Sequence, residues 1–244
     1  MAQSTLKAYP VWDGGVRLFH WINVLAILGL LAIGLVLMFS KDLGVTDDGK
    51  ILLKATHIWV GYVFVINLLA RFVWAFLGNR FARWKAFLPF GKVYKAQFQA
   101  YMQGRKIGQN VHFLGHNPLG RWSILVMFLL MIGQGITGLM LASTDLYMAP
   151  FGSQMKAWVA EDEAAIAIVQ PYEKQGVDPI AYQEMRDFRK PFRTLHTYLF
   201  YLLMLSIVIH IAAVIVEEKR RRNGLTSAMI TGEKVFKEKP FDAD

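Results

Sequence analysis

The stretch R193-TLHTYLFYLLMLSIVIHIAAVI-V216 is almost wholly apolar, yet it carries His196 and His210. A run of this length is enough to cross a hydrocarbon core of about 30 Å, which takes roughly 20 apolar residues at the helical rise. Three further runs do the same, so the sequence predicts transmembrane helices at about 18–39, 51–77, 122–142 and 194–216. With 55% hydrophobic residues and 17 Phe in 244 residues, the chain is too apolar for an ordinary soluble domain. The expected fold class is an all-α integral membrane protein, a four-helix transmembrane bundle forming one membrane domain over residues 1–244. The first run follows a polar stretch containing Lys7, Asp13 and Arg17, with no small-residue cleavage signal behind it, so it reads as a retained helix.

Basic residues set the expected orientation. The connection 78–121 holds Arg80, Arg83, Lys85, Lys92, Lys95, Arg105, Lys106 and Arg121 without one carboxylate, and the tail 217–244 opens with EEKRRRNG. The positive-inside rule places both, and the N-terminus, in the cytoplasm. Asp42, Asp47 and Asp48 follow the first span, and an external cap at about 143–191 is acid-rich at Glu161–Glu163. The net charge of +9 thus reflects topology and lipid headgroups, with no nucleic-acid partner implied. Within the cap, Asp178 before Pro179 has the form of a helix N-cap followed by Pro at the first helical position. The absence of cysteine excludes thiolate-ligated clusters, covalently attached c-type haem and disulfides.

Four of the six histidines lie in or at the ends of spans. One intramembrane histidine is often only a hydrogen-bonded polar side chain, but four ask for a joint explanation. His196 and His210 are 14 residues apart, hence about 40° apart around a helix and about 21 Å along it. They share a face at two depths. His57 begins the second span on the outside and His20 begins the first on the inside, so His57 matches His196 in depth and His20 matches His210. Two facing imidazoles without a nearby carboxylate or thiolate suit axial ligation of a b-type haem between helices. Zinc or copper would have only two ligands per site, and an intramembrane proton relay usually recruits Asp or Glu, which the spans lack. Two haem b groups stacked across the bilayer are expected.

Arg71 stands 14 positions after His57, at the inner depth, where a cation can neutralise a haem propionate, and Arg17, one turn before His20, can do the same. Gly34, 14 positions after His20, and Gly61, one turn after His57, remove side chains from the histidine faces, which lets a flat macrocycle approach. His112 and His116 sit in the basic inner connection and read as ordinary loop histidines.

The segments RLFHWINVLAILGLLAIG (17–34), HIWVGYVFVINLLARFVWAFLGNRF (57–81), GHNPLGRW (115–122) and LHTYLFYLLMLSIVIH (195–210) together resemble the membrane cytochrome b subunits of bacterial nickel–iron hydrogenases. The gamma subunits of formate dehydrogenases are more distantly similar. The resemblance implies haem-ligand roles for His20, His57, His196 and His210. It implies an electron-transfer subunit of a membrane oxidoreductase complex, passing electrons between a periplasmic redox protein or enzyme subunits and quinone as substrate. It also places a quinone site at the inner haem, with Asn117 and Gly120 as candidates. The alternative is a self-sufficient oxidoreductase fed by a small diffusible donor. A transporter is disfavoured, because the spans offer little polarity beyond Asn23, Asn67, Gln134 and Thr137.

Overall fold

A computed structural model describes residues 6–109, 111–221 and 223–243. Its four long helices are α1 (Gly14–Met38), α2 (Asp47–Leu77), α5 (Pro118–Asp145) and α7 (Pro179–Arg221), each long and apolar enough to cross a membrane. Short helices α3 (Trp84–Phe87) and α4 (Gly91–Lys106) lie between α2 and α5. Helix α6 (Gly152–Val159) and a 3-10 turn (Ala164–Ala167) lie between α5 and α7. Only 6% of the most apolar stretch of α7 is buried. Leu202, Leu205, Val208 and Ile209 are more than half exposed, an arrangement that needs lipid around it.

The chain divides into two compact units. The first comprises Met1–Ile22, Asn67–Leu129 and Leu203–Asp244. Its framework is an unexpected one: strand β1 (Lys7–Pro10) pairs antiparallel with strand β2 (Glu233–Phe236), Lys7 opposite Phe236, and α8 (Ala228–Thr231) precedes β2. Gly232 joins them with φ +86°; its carbonyl accepts from the N–H groups of Val11 and Trp12, and a Cβ there would lie 2.8 Å from the Trp12 carbonyl oxygen. Only glycine suits that turn. Val11, Trp12, Phe81, Leu114, Ala228 and Phe236 form the unit's small core. Asp13 fastens it to α2, accepting from Trp74 Nε1 (3.0 Å), Asn79 N (2.9 Å) and Val16 N (2.9 Å). Burial raises the Asp13 pKa, but these bonds outweigh it and hold the carboxyl below its usual range.

The second unit comprises Asn23–Ile66 and Leu130–Leu202. Asp178 caps α7, accepting from Ile180 N (2.7 Å) and Ala181 N (3.2 Å). The segment read as a separate cap helix instead runs unbroken through Pro191 into the fourth apolar stretch. Met185 holds this extension against Val159, Val169 and Val177. Asp145, at the end of α5, pairs with both Arg189 and Lys54, and Lys54 also donates to the Tyr172 hydroxyl at 2.5 Å. These charges pin α7 and the cap to α2.

Candidate functional site

In the second unit, α2 supplies His57 and α7 supplies His196, close enough to interact electrostatically. Both rings rest on bare helix backbone. A Cβ at Gly34 of α1 would lie 3.4 Å from His57 Cε1, and a Cβ at Gly138 of α5 would lie 3.4 Å from His196 Cε1. Thr137 fixes the His196 tautomer. Its hydroxyl donates to the Gly133 carbonyl (2.8 Å), so toward His196 Nδ1 (2.9 Å) its oxygen accepts, and Nδ1 carries the proton. Nε2 then presents a lone pair, to which the Gln134 amide nitrogen is 3.1 Å away. A metal-binding imidazole has one nitrogen donating to a fixed oxygen and the other coordinating; here Nε2 accepts from Gln134, whose amide must swing away for a metal to take its place. Gly61 borders open space, with no atom within 4 Å of its would-be Cβ.

In the first unit, α1 supplies His20 and α7 supplies His210, again within electrostatic range. Asn67 Nδ2 donates to the Phe19 carbonyl (3.0 Å), tying α2 to α1 beside His20. Arg71 is buried, with its guanidinium carbon 5.3 to 5.9 Å from the ring centroids of Phe19, Phe87 and Phe128. Nη2 donates to the Ala82 carbonyl (2.9 Å), whereas Nη1 has no partner among the described residues. Arg17 donates through Nη1 to the Ile230 carbonyl and leaves Nε unpartnered. A buried guanidinium N–H without an acceptor is costly, and a carboxylate ligand would satisfy Nη1 of Arg71 and Nε of Arg17.

The loop before α5 departs from the sequence reading. His116 was expected to be an ordinary solvated loop residue, but its ring packs at a 40° tilt against Trp12, centroids 4.6 Å apart, and its buried Nδ1 has no partner among the described residues. Burial, reinforced by Lys234, Arg121 and Arg71, pushes its pKa well below 6.5. Lys234 is 2% exposed and donates to the carbonyls of Leu114 (2.7 Å) and Gly115 (3.1 Å). The Asp242 carboxylate accepts the N–H groups of the same two residues, at 2.5 and 2.9 Å. Both amide groups of Asn117 are engaged: Oδ1 accepts from Gly120 N at 2.7 Å, capping α5, and Nδ2 donates to Glu217 at 3.2 Å.

The residues fit a haem. Each unit brings together two half-buried imidazoles from different helices, and Nδ1 of His20 and of His57 has no partner among the described residues. Those residues hold no cluster of three or more His, Asp or Glu side chains, as a protein-ligated metal ion would need. Sequence reasoning passed over Thr137 and Gly138. Their signal was the run GQGITG (133–138), polar and small within an otherwise bulky apolar helix. It also missed His116 and Lys234, whose burial comes from residues far away in the chain.

A sequence profile described as prokaryotic cytochrome b561 matches residues 11–232. A probable Ni/Fe-hydrogenase B-type cytochrome subunit of Cupriavidus necator is 26% identical over 249 residues, covering 96% of this chain and 90% of that protein. One of the same description from Rhodobacter capsulatus is 26% identical, covering 93% and 82%. The probable Ni/Fe-hydrogenase 1 B-type cytochrome subunit of Escherichia coli K12 is 29% identical over 161 residues, covering 61% and 66%. No solved structure gives a significant match. The chain belongs to the prokaryotic cytochrome b561 family. It is a multi-pass membrane cytochrome of b type, an electron-transfer subunit homologous to those hydrogenase cytochromes.

Proposed function

We propose that this chain is a dihaem cytochrome b subunit carrying electrons between a periplasmic redox partner and the quinone pool, its N- and C-termini in the cytoplasm. The observation that carries the reading is the pairing of imidazoles within each unit, His57 with His196 and His20 with His210. Bound haem supplies one-electron chemistry at its iron. The chain's own work is to hold and tune it. Thr137 orients His196 and raises its basicity as a ligand. Gly34 and Gly138 let the imidazoles of the outer pair seat against neighbouring helices. Arg71 and Arg17 offer unpartnered N–H groups to the propionates of the inner haem, and the open space beside Gly61 suits the outer macrocycle.

The quinone end in this reading is the Asn117–Gly120 turn. Asn117 acts there as scaffold, because its amide is already bonded on both sides. It caps the turn that carries His116, whose buried Nδ1 has no partner among the described residues and would hydrogen-bond a quinone carbonyl that reached it. The homologues are named as subunits of Ni/Fe-hydrogenases, which supports a multisubunit partner over a small diffusible donor.

The test is stoichiometric. Gently purified protein should return two non-covalent, low-spin b haems per chain in a pyridine haemochrome assay. One haem per chain would overturn the double pairing, and none would overturn the cytochrome reading of these sites.

A further inference from the structure

Three cations on the α7 extension have no carboxylate partner among the described residues: Arg186, Lys190 and Arg193. All three are exposed. At 100° per residue they fall within a sector about 60° wide, and they climb about 10 Å of helix. Together with Gln183, Asp187 and Arg189 they line a groove of about 320 Å³. Of its two other charges, Arg189 pairs with Asp145, and Asp187, bonded only to the neutral Gln183 amide (3.1 Å), offsets one unit of the positive charge. The groove therefore presents a surplus of positive charge on a rigid support, since Met185 and Arg189 anchor the same turns of α7.

Arginine and lysine are depleted on the outer side of inner-membrane proteins, so the surplus needs a cause. Lipid accounts for only part of it. The polar headgroup zone extends roughly 5–7 Å beyond the hydrocarbon on each side. With the apolar stretch beginning at Thr194, Arg193 and Lys190 lie within reach of phosphates, but Arg186 stands about 12 Å out along the helix. The stripe also ends one helical turn before His196 on the same helix.

We propose that Arg186, Lys190 and Arg193 form the docking surface for the acidic face of a periplasmic redox protein that exchanges electrons with the outer histidine pair. The inference rests on the function and orientation proposed above, and names the chemistry of the partner. In the productive complex the partner's carrier would give up one electron to a haem held by His57 and His196, so that the partner is itself the reductant. Charge complementarity of this kind acts mainly on the encounter rate and weakens with salt.

The experiment compares wild type with R186Q/K190Q/R193Q, both haem-loaded, in nanodiscs of phosphatidylcholine or of phosphatidylglycerol. A photoreduced acidic flavodoxin serves as donor, and haem content and reduction by dithionite are checked in each sample. In phosphatidylcholine at low salt the variant should accept electrons about tenfold more slowly than wild type, with a flattened dependence on ionic strength. Equal rates and equal salt dependence in haem-replete proteins would overturn the docking surface and leave the cytochrome reading standing. A difference confined to phosphatidylglycerol would also overturn it, making lipid the occupant. Absence of haem from both proteins would overturn the parent reading, and this inference with it.

Discussion

The most exacting consequence of the site concerns two glycines. Gly34 and Gly138 stand on different helices, yet each would place a Cβ 3.4 Å from the Cε1 atom of one imidazole of the outer pair. That is at the edge of ordinary carbon–carbon contact, about 3.5–4.0 Å. Gly138→Ala therefore asks His196 to move by no more than a few tenths of an ångström. The helix gains roughly 1 kcal/mol from replacing Gly by Ala, so this variant should be near neutral and keep both haems. Valine is different. Its γ carbons reach about 1.5 Å beyond Cβ, and β-branching leaves essentially one rotamer in a helix. His196 must then rotate or retreat by more than an ångström, at a cost of about 1–3 kcal/mol in overpacking, and its bond to Thr137 breaks. A metal–nitrogen bond tolerates a few tenths of an ångström at most. Gly138→Val should thus lose the outer haem and retain the inner one, and Gly34→Val, acting through His57, should lose the same haem. The assay is haem content with low-temperature EPR, in which two low-spin signals reduce to one, identical in both valine variants. If Gly138→Val kept both signals, or if the two valine variants lost different haems, the seating argument would be wrong.

Three further outcomes follow from the same geometry. His57→Ala and His196→Ala should delete one and the same haem signal, and His210→Ala the other; loss of a common signal in His57→Ala and His210→Ala would break the pairing. Thr137→Val removes the acceptor for His196 Nδ1–H, so the ligand becomes less basic and the ferric state less favoured. The outer haem's midpoint should rise, by about 60 mV for each tenfold change in relative affinity for the two oxidation states, while redox titration finds the inner haem unmoved; a downward shift would contradict the assigned tautomer. Lys234 supplies a pH test. Its pKa is pushed down from 10.5 to about 8, burial outweighing the pull of Asp242 and Glu217. The unfolded chain therefore binds more protons than the folded one between about pH 8 and 10.5. Stability should rise across that window, by up to roughly 3 kcal/mol from this group, and be penalised fully below it. Thermal unfolding of wild type against Lys234→Met should show that slope in the wild type alone.

What was legible in the sequence followed the symmetry of a single helix. The apolar runs declare themselves because lipid demands an unbroken length, and His196 and His210 because a 14-residue interval returns nearly to the same face, with His57 and His20 joining them at the matching depths. Matching depth across helices then yields pairs. It does not tell which backbone lies beside each ring, since that depends on helix rotation and order, which length and hydropathy leave free. Gly34 was placed by its interval from His20, but its nearest ring belongs to His57. Gly138, meeting His196 in the same way, has no histidine on its own helix to mark it.

The first unit shows the other way in which reading along the chain stops. His116 looks like a loop histidine because its neighbours in sequence are polar or small, and what buries it arrives from both ends of the chain. Trp12 comes from just behind β1, and Lys234 from β2, about 120 residues beyond the carbonyls that it holds. No periodicity links such residues. What links them is an obligation: a lysine 2% exposed must find acceptors, and the peptide groups of Leu114 and Gly115 supply them, their N–H groups being satisfied by Asp242. The tail that reads as a basic, topology-setting segment thus clamps the turn carrying His116 and Asn117. A change at Lys234 or Asp242 consequently acts first on the position of that turn. By this reasoning Asp242→Asn should disturb quinone-linked reoxidation of the haems while leaving the outer haem's EPR signal and the reduction of both haems by dithionite as in wild type. Unchanged reoxidation in a fully haem-loaded Asp242→Asn protein would separate the clamp from the quinone end.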